Sequence, residues 1–214
     1  MKLDIHTPLP KVTTRSAHVD LLAPDHNTLV IDEIAQVLAR SPRYNGHSER
    51  PVSIGQHLLF CGMLADRRHP DNVPLALQAL VHDAHEAYTG DICRPLKKLI
   101  NDNTEGLLTL IELRLDTALR IALGASSFDW IENAAAVKDI DNVALTVETA
   151  VAFRYAHMEW GNFVMPRDDE ELHWCIGAME EVLDLPCTTV EELWCKSVHA
   201  YADRLETEED YDDA

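Results

Sequence analysis

Few of the features that mark a β protein are present in this sequence. Aromatic side chains make up 6% of the 214 residues, and alternating β-branched runs are hard to find. That argues against a sandwich or barrel, whose strands need such residues. Basic charge is also scarce: 18 Lys and Arg stand against 37 Asp and Glu, a net charge of −19. A duplex-binding surface needs clustered cations, so duplex nucleic acid is excluded as a partner. The five cysteines, Cys61, Cys93, Cys175, Cys187 and Cys195, form no C-x-x-C pair and are odd in number. This argues against a disulfide framework or a cysteine-based zinc site and suits reduced thiols in the cytoplasm. No apolar run approaches the length of a membrane span, and the N-terminus lacks a basic-then-apolar signal pattern. A cytoplasmic protein without a membrane partner is therefore expected. Repeats and linkers are absent too.

What is present is helical periodicity. Hydrophobic residues make up 46% of the chain, with Leu and Ala prominent, which suits one all-α domain with a sizeable core. Residues 1–27 carry Pro8, Pro10 and Pro24 and read as an extended lead-in with room for a short strand pair. The domain is expected over 28–205. The end, 206–214, holds Glu206, Glu208, Glu209, Asp210, Asp212 and Asp213 and reads as a solvated, disordered acidic tail.

Within the domain, Ile31, Ile34, Ala35 and Leu38 mark an amphipathic helix that ends at Ser41-Pro42. A polar loop, Arg43 to Pro51, follows. Ser53 is placed to cap a helix from Ile54 to Arg67 that turns His57 inward among Ile54, Leu58, Cys61 and Leu64. Pro74 and Gly90 bracket a single expected helix over 73–88. Asp91 to Pro95 reads as a turn and Leu96-Lys97-Lys98 as a basic step. Thr104 is expected to cap a helix running to Leu123. Further helices are expected at 128–155, 169–183 and 190–205. Long apolar faces such as Leu107 to Leu123 leave room for a homo-oligomer, a dimer or larger.

The chemistry concentrates in Val81-His82-Asp83-Ala84-His85-Glu86-Ala87-Tyr88. At roughly 100° per residue, His82, Asp83 and Glu86 share one helix face, and His85 falls off it. An imidazole beside a carboxylate at the inner end of an apolar helix is costly to bury alone, and a divalent metal suits the pair. His57 offers a second imidazole, although a histidine on an apolar face also reads as a hydrogen-bonded core residue. A second carboxylate comes from the helix that contains Lys138-Asp139-Ile140-Asp141-Asn142. Asp141 has the more apolar neighbours, with Asp139 and Asp203 as competitors. Two imidazoles and two carboxylates leave a metal open positions for water and substrate, as hydrolysis requires. Glu86, one turn beyond Asp83, is placed to take or orient a water proton.

The pieces Arg43-Tyr44-Asn45-Gly46-His47, Ser53-Ile54-Gly55-Gln56-His57, His82 to Asp91, and Arg94-Pro95-Leu96-Lys97 together resemble the HD-domain metal phosphohydrolases. They are especially similar to the branch that holds bacterial 5′-deoxynucleotidases and phage dATP triphosphohydrolases. About a quarter of the chain carries the likeness. It implies an all-α fold with one divalent metal (Mn, Co, Zn, Fe or Mg) held by His57, His82, Asp83 and a later Asp. Spacing favours Asp141 for that position, although Ile140 and Asn142 depart from the family's usual neighbours. The resemblance further implies that Glu86 activates water and that Asp91 lies near the sugar. It gives Arg43, Tyr44 and Lys97 contacts to phosphate or sugar. The expected activity is hydrolysis of a dNMP to deoxynucleoside and phosphate, with release of triphosphate from a dNTP as the alternative. A di-iron oxygenase on the same scaffold would need extra histidines between Asp83 and Asp141, where only His85 stands. A non-catalytic nucleotide binder is expected only where a ligand or Glu86 is missing.

Overall fold

The structure, a computed structural model, describes residues 11–153 and 163–212, with side chains included except at 127, 128 and 206–212. The fold is all-α. Its strand content among the described residues is one antiparallel hairpin, β1 (Lys11–Thr13) and β2 (His18–Asp20), in which Val12 faces Val19. Val19 is fully buried and pins the hairpin to the helical core. The expected strand pair in the lead-in is thus present. Residues 1–10 and the end of the acidic tail lie outside the described residues.

The helices are α1 (Ile31–Arg40), α2 (Ile54–Arg68), α3 (Val73–Val81), α4 (Glu86–Thr89), α5 (Arg94–Asn103), α6 (Leu107–Ala122), α7 (Ser127–Ala152), α8 (Asp169–Asp184) and α9 (Cys187–Asp212). Helices α2 and α3 form the centre, and each is buried on nearly every side. One face of the pair packs Leu58, Leu77 and Leu80 against Leu38 of α1, Leu115 and Leu119 of α6 and Trp194 and Val198 of α9. The other packs Phe60, Leu64, Leu75 and Ala79 against Ile140, Val143 and Val147 of α7 and Met179 of α8. Among the described residues, no helix is long and apolar enough to cross a membrane.

Local chemistry sets the start of α2. Ser53 Oγ accepts from Gln56 N at 3.1 Å, and Gln56 Oε1 accepts from Ser53 N at 2.9 Å, a reciprocal capping box. The Gln56 amide then donates to the carbonyls of Val182 and Leu183, which ties this turn to the end of α8. Gly55 lies where helices meet most closely. A Cβ there would stand 2.9 Å from Val190 Cγ1 and 3.1 Å from Ala39 N.

Helix α9 runs on to Asp212, through most of the stretch read as a disordered tail, and three boundaries inside the domain also differ from the sequence reading. The single helix expected over 73–88 is two, α3 and α4, separated by a tight turn. Its cause is visible at the carbonyls that would have continued α3. Trp194 Nε1, from α9, donates to Leu80 O at 2.8 Å, and His82 Nδ1 donates to Ala79 O at 2.8 Å. With those acceptors taken by side chains, Ala84 N turns to Val81 O and Glu86 N to Asp83 O, a tighter winding. Second, residues 94–103 are a helix rather than a turn and a basic step, because Pro95 sits in the first helical turn, where its missing N–H is harmless. Third, Thr104 closes α5 rather than opening the next helix. Glu105 and Gly106 both have positive φ, 54° and 79°, and this reversal starts α6 at Leu107.

Candidate metal centre

Three elements bring four side chains to one point. His57 comes from the middle of α2, His82 and Asp83 from the turn after α3, and Asp141 from the middle of α7. One donor atom from each lies within 4.8 Å of all the others. The two imidazoles meet through Nε2, 3.4 Å apart. Asp141 Oδ1 stands 3.5 Å from His57 Nε2 and 3.8 Å from His82 Nε2. Asp83 Oδ2 stands 3.9 Å and 3.5 Å from the same two atoms. The competition among carboxylates is resolved by position: Asp139 pairs with Arg68 at 2.7 Å on the outside of α7, and Asp203 is exposed on α9.

Both rings are oriented from behind. His82 Nδ1 is bound to Ala79 O. His57 Nδ1 lies 2.5 Å from Oε1 of Glu148, which comes from α7 and is fully buried. Since a carbonyl and an ionised carboxylate only accept, each ring keeps a proton on Nδ1 and turns Nε2 to the cluster. This is the tautomer that a metal bound through Nε2 requires.

The cluster's charges are strongly coupled. Burial opposes the positive charge of His82, but Asp83 beside it carries the pKa up to about 9. Burial and the neighbouring Arg43 oppose charge on His57, yet Cys61, Glu148 and Asp141 hold it well above the ordinary histidine value. Asp141 is partly buried, and its contacts with His57 and His82 keep its carboxyl far below the usual carboxylate range. Positive charge at this point is thus what balances the carboxylates. Two nitrogens and two carboxylate oxygens converging on one point form a donor set that fits a divalent cation, which would take over that balancing role.

Around these four lie Arg43, Tyr44 and Glu86. Arg43 is 8% exposed; its Nε donates to Glu148 Oε2 at 3.0 Å and its Nη1 stands 3.6 Å from Asp83 Oδ2. Tyr44 donates its hydroxyl to the same Glu148 oxygen at 2.5 Å, and its backbone N–H donates to Asp91 Oδ2 at 2.8 Å. Tyr44 and Asn45 sit at φ 57° and 50°, a left-handed conformation that Asn adopts readily but that costs Tyr44 ~1–2 kcal/mol. The loop tolerates this because Arg43 N bonds Val52 O, Ile54 N bonds Ser41 O, and Asp91 holds the middle.

Glu86 contributes a carboxyl near Asp83 and His85. Its Oε2 is buried without a hydrogen-bond partner among the described residues. Burial, with Asp83 and Asp91 nearby, pushes its pKa up to about 8. His85 is buried and turns to α6, where Nδ1 lies 2.9 Å from Asp116. Lys97 is engaged with Glu112 of α6 at 2.5 Å.

Of two further neighbours, Cys61 was read only as part of the apolar surroundings of His57, and Glu148 was not read at all. Cys61, one turn after His57, places Sγ 3.6 Å from His57 Nε2. Glu148 stands two turns after Asp141 on the same face of α7, and that spacing was the signal that could have found it.

No family model matches the chain. It is similar to the uncharacterized protein YfdR of Escherichia coli (strain K12), at 34% identity over 96 residues, 45% of this chain. It is also similar to the uncharacterized protein RCAP_rcc00048 of Rhodobacter capsulatus, at 31% identity over 133 residues, 61% of this chain. The matched segments span 48% and 66% of those two proteins, under two thirds of each.

Proposed function

We propose that this chain is an HD-type phosphohydrolase that converts a dNMP to a deoxynucleoside and phosphate with the help of one divalent cation. The observation that carries the reading is the meeting of His57, His82, Asp83 and Asp141 beside Glu86, whose buried Oε2 has no hydrogen-bond partner among the described residues. An unsatisfied buried acceptor costs ~1–3 kcal/mol, so its retention beside a metal-type donor set calls for a partner such as water.

His57, His82, Asp83 and Asp141 would hold the cation, which when bound lowers the pKa of water and polarises a phosphoryl oxygen. Glu86 takes a proton from the attacking water and returns it to the departing 5′ oxygen. An O–P bond forms as the P–O bond to the sugar breaks. Arg43 offsets the negative charge of the phosphate and of Asp83.

The pairing of cations supports a substrate with one phosphate over one with three. Arg43 is already engaged by Glu148 and Lys97 by Glu112, so neither is available solely for β and γ phosphates. The test is incubation of purified protein with Mn²⁺ or Co²⁺ and a panel of dNMPs and dNTPs. Phosphate released from a dNMP is the expected result. Triphosphate released from a dNTP would favour the alternative, and release of neither would defeat the proposal.

A further inference from the structure

We propose that Glu148 is a positioning residue that braces the cation site and the phosphate-reading arginine as one unit. This rests on the function proposed above and adds a residue to it.

Glu148 is fully buried, and both of its oxygens are used. Oε1 takes His57 Nδ1; Oε2 takes Arg43 Nε and the Tyr44 hydroxyl. Those partners come from two further segments, α2 and the loop before it, while Glu148 itself lies on α7 two turns from Asp141. One carboxylate therefore sets the tautomer and angle of a ring that faces the cluster, and also the position of a guanidinium that reaches Asp83. Loss of such an outer partner typically costs ~10–100-fold in metal affinity or activity.

Gln is nearly isosteric with Glu but cannot satisfy all three partners. With its amide oxygen toward His57, its NH₂ faces the N–H of Arg43, donor against donor. With the amide reversed, the His57 ring must move its proton to Nε2, the atom the cluster uses. A Glu148 that served only as a buried ion pair would lower the melting temperature of E148Q and leave the metal affinity of the folded protein alone.

The experiment compares wild type and E148Q by titration with Mn²⁺, with thermal melts alongside. The proposal expects folded E148Q to bind Mn²⁺ about 10–100-fold more weakly. Folded E148Q with a Kd within twofold of wild type would overturn it. A second measurement needs no variant: ¹⁵N spectra of the His57 ring in the Zn²⁺-loaded wild type should show the proton on Nδ1. A proton on Nε2, or none on Nδ1, would overturn the role of Glu148 even if E148Q did not fold. Wild-type protein that bound none of Mn²⁺, Co²⁺ or Zn²⁺ would overturn the cation reading itself, and this proposal with it.

Discussion

His57 and His82 present the same atom, Nε2, to each other at 3.4 Å, and each has its Nδ1 bound from behind. Two rings set this way lie against two carboxylates with no apolar residue between them. Such an arrangement is costly to bury except as a receptacle for positive charge. The rest of the fold can be understood as the means of holding it.

Trp194 is one of those means. It fills the centre of the first core and caps Leu80 with its indole N–H. Trp194→Phe should keep most of the packing but leave the Leu80 carbonyl buried and unbonded, a cost of ~1–3 kcal/mol. For a domain of this size each kcal/mol lowers the melting temperature by about 2–4 °C. A thermal melt measures this directly. Unchanged stability would mean that water or the helix itself satisfies that carbonyl.

The Arg68–Glu171 pair predicts an acid limb of stability. Glu171 receives Nε and Nη2 of Arg68 at 2.8 Å each and the Arg167 N–H at 2.6 Å. Arg68 is the first cause, and it lowers the carboxyl pKa from 4.5 to about 2. Because the folded value lies below the unfolded one, the stabilisation is fully present above about pH 4.5 and is lost as pH falls toward 2. Glu171→Gln should remove that part of the pH dependence and cost about 1 kcal/mol at neutral pH, the upper end for such pairs. Urea titrations between pH 2 and 7 compare the two slopes; parallel curves would contradict the assignment.

Glu86 separates chemistry from binding. Glu86→Gln keeps the shape of the side chain and removes its ability to take a proton. The rate of dNMP hydrolysis should fall by ~10²–10⁴-fold, the usual range for a general base. Metal content should be unchanged, because Glu86 lies outside the group of His57, His82, Asp83 and Asp141. Loss of the metal along with the rate would make Glu86 a ligand instead.

Much of this was legible in residue order. Ser53 and Gln56 announce the start of α2, and the apolar neighbours of His57 turn it inward. The break after Val81 was not legible, because it is made by Trp194, 114 residues away, and no local pattern reports a distant N–H. Helix α5 was hidden by Pro95, which looks like a breaker until its place in the first turn is known. Asp141 and Asp139 differ by one side of a helix, and periodicity alone left both standing. Glu148 was overlooked because a glutamate in a helix ordinarily faces water. Its neighbours Ala144, Val147 and Thr149 are buried, and that context set it apart.

The most direct test is anomalous diffraction from crystals of the protein grown with Mn²⁺. The account predicts one peak per chain, within bonding distance of Nε2 of His57 and His82 and the carboxylates of Asp83 and Asp141. The peak should disappear in crystals of His82→Ala. A peak confined to another cluster, such as Asp32, Cys195 and His199 on the α1–α9 surface, would contradict it, as would the absence of any peak at saturating Mn²⁺.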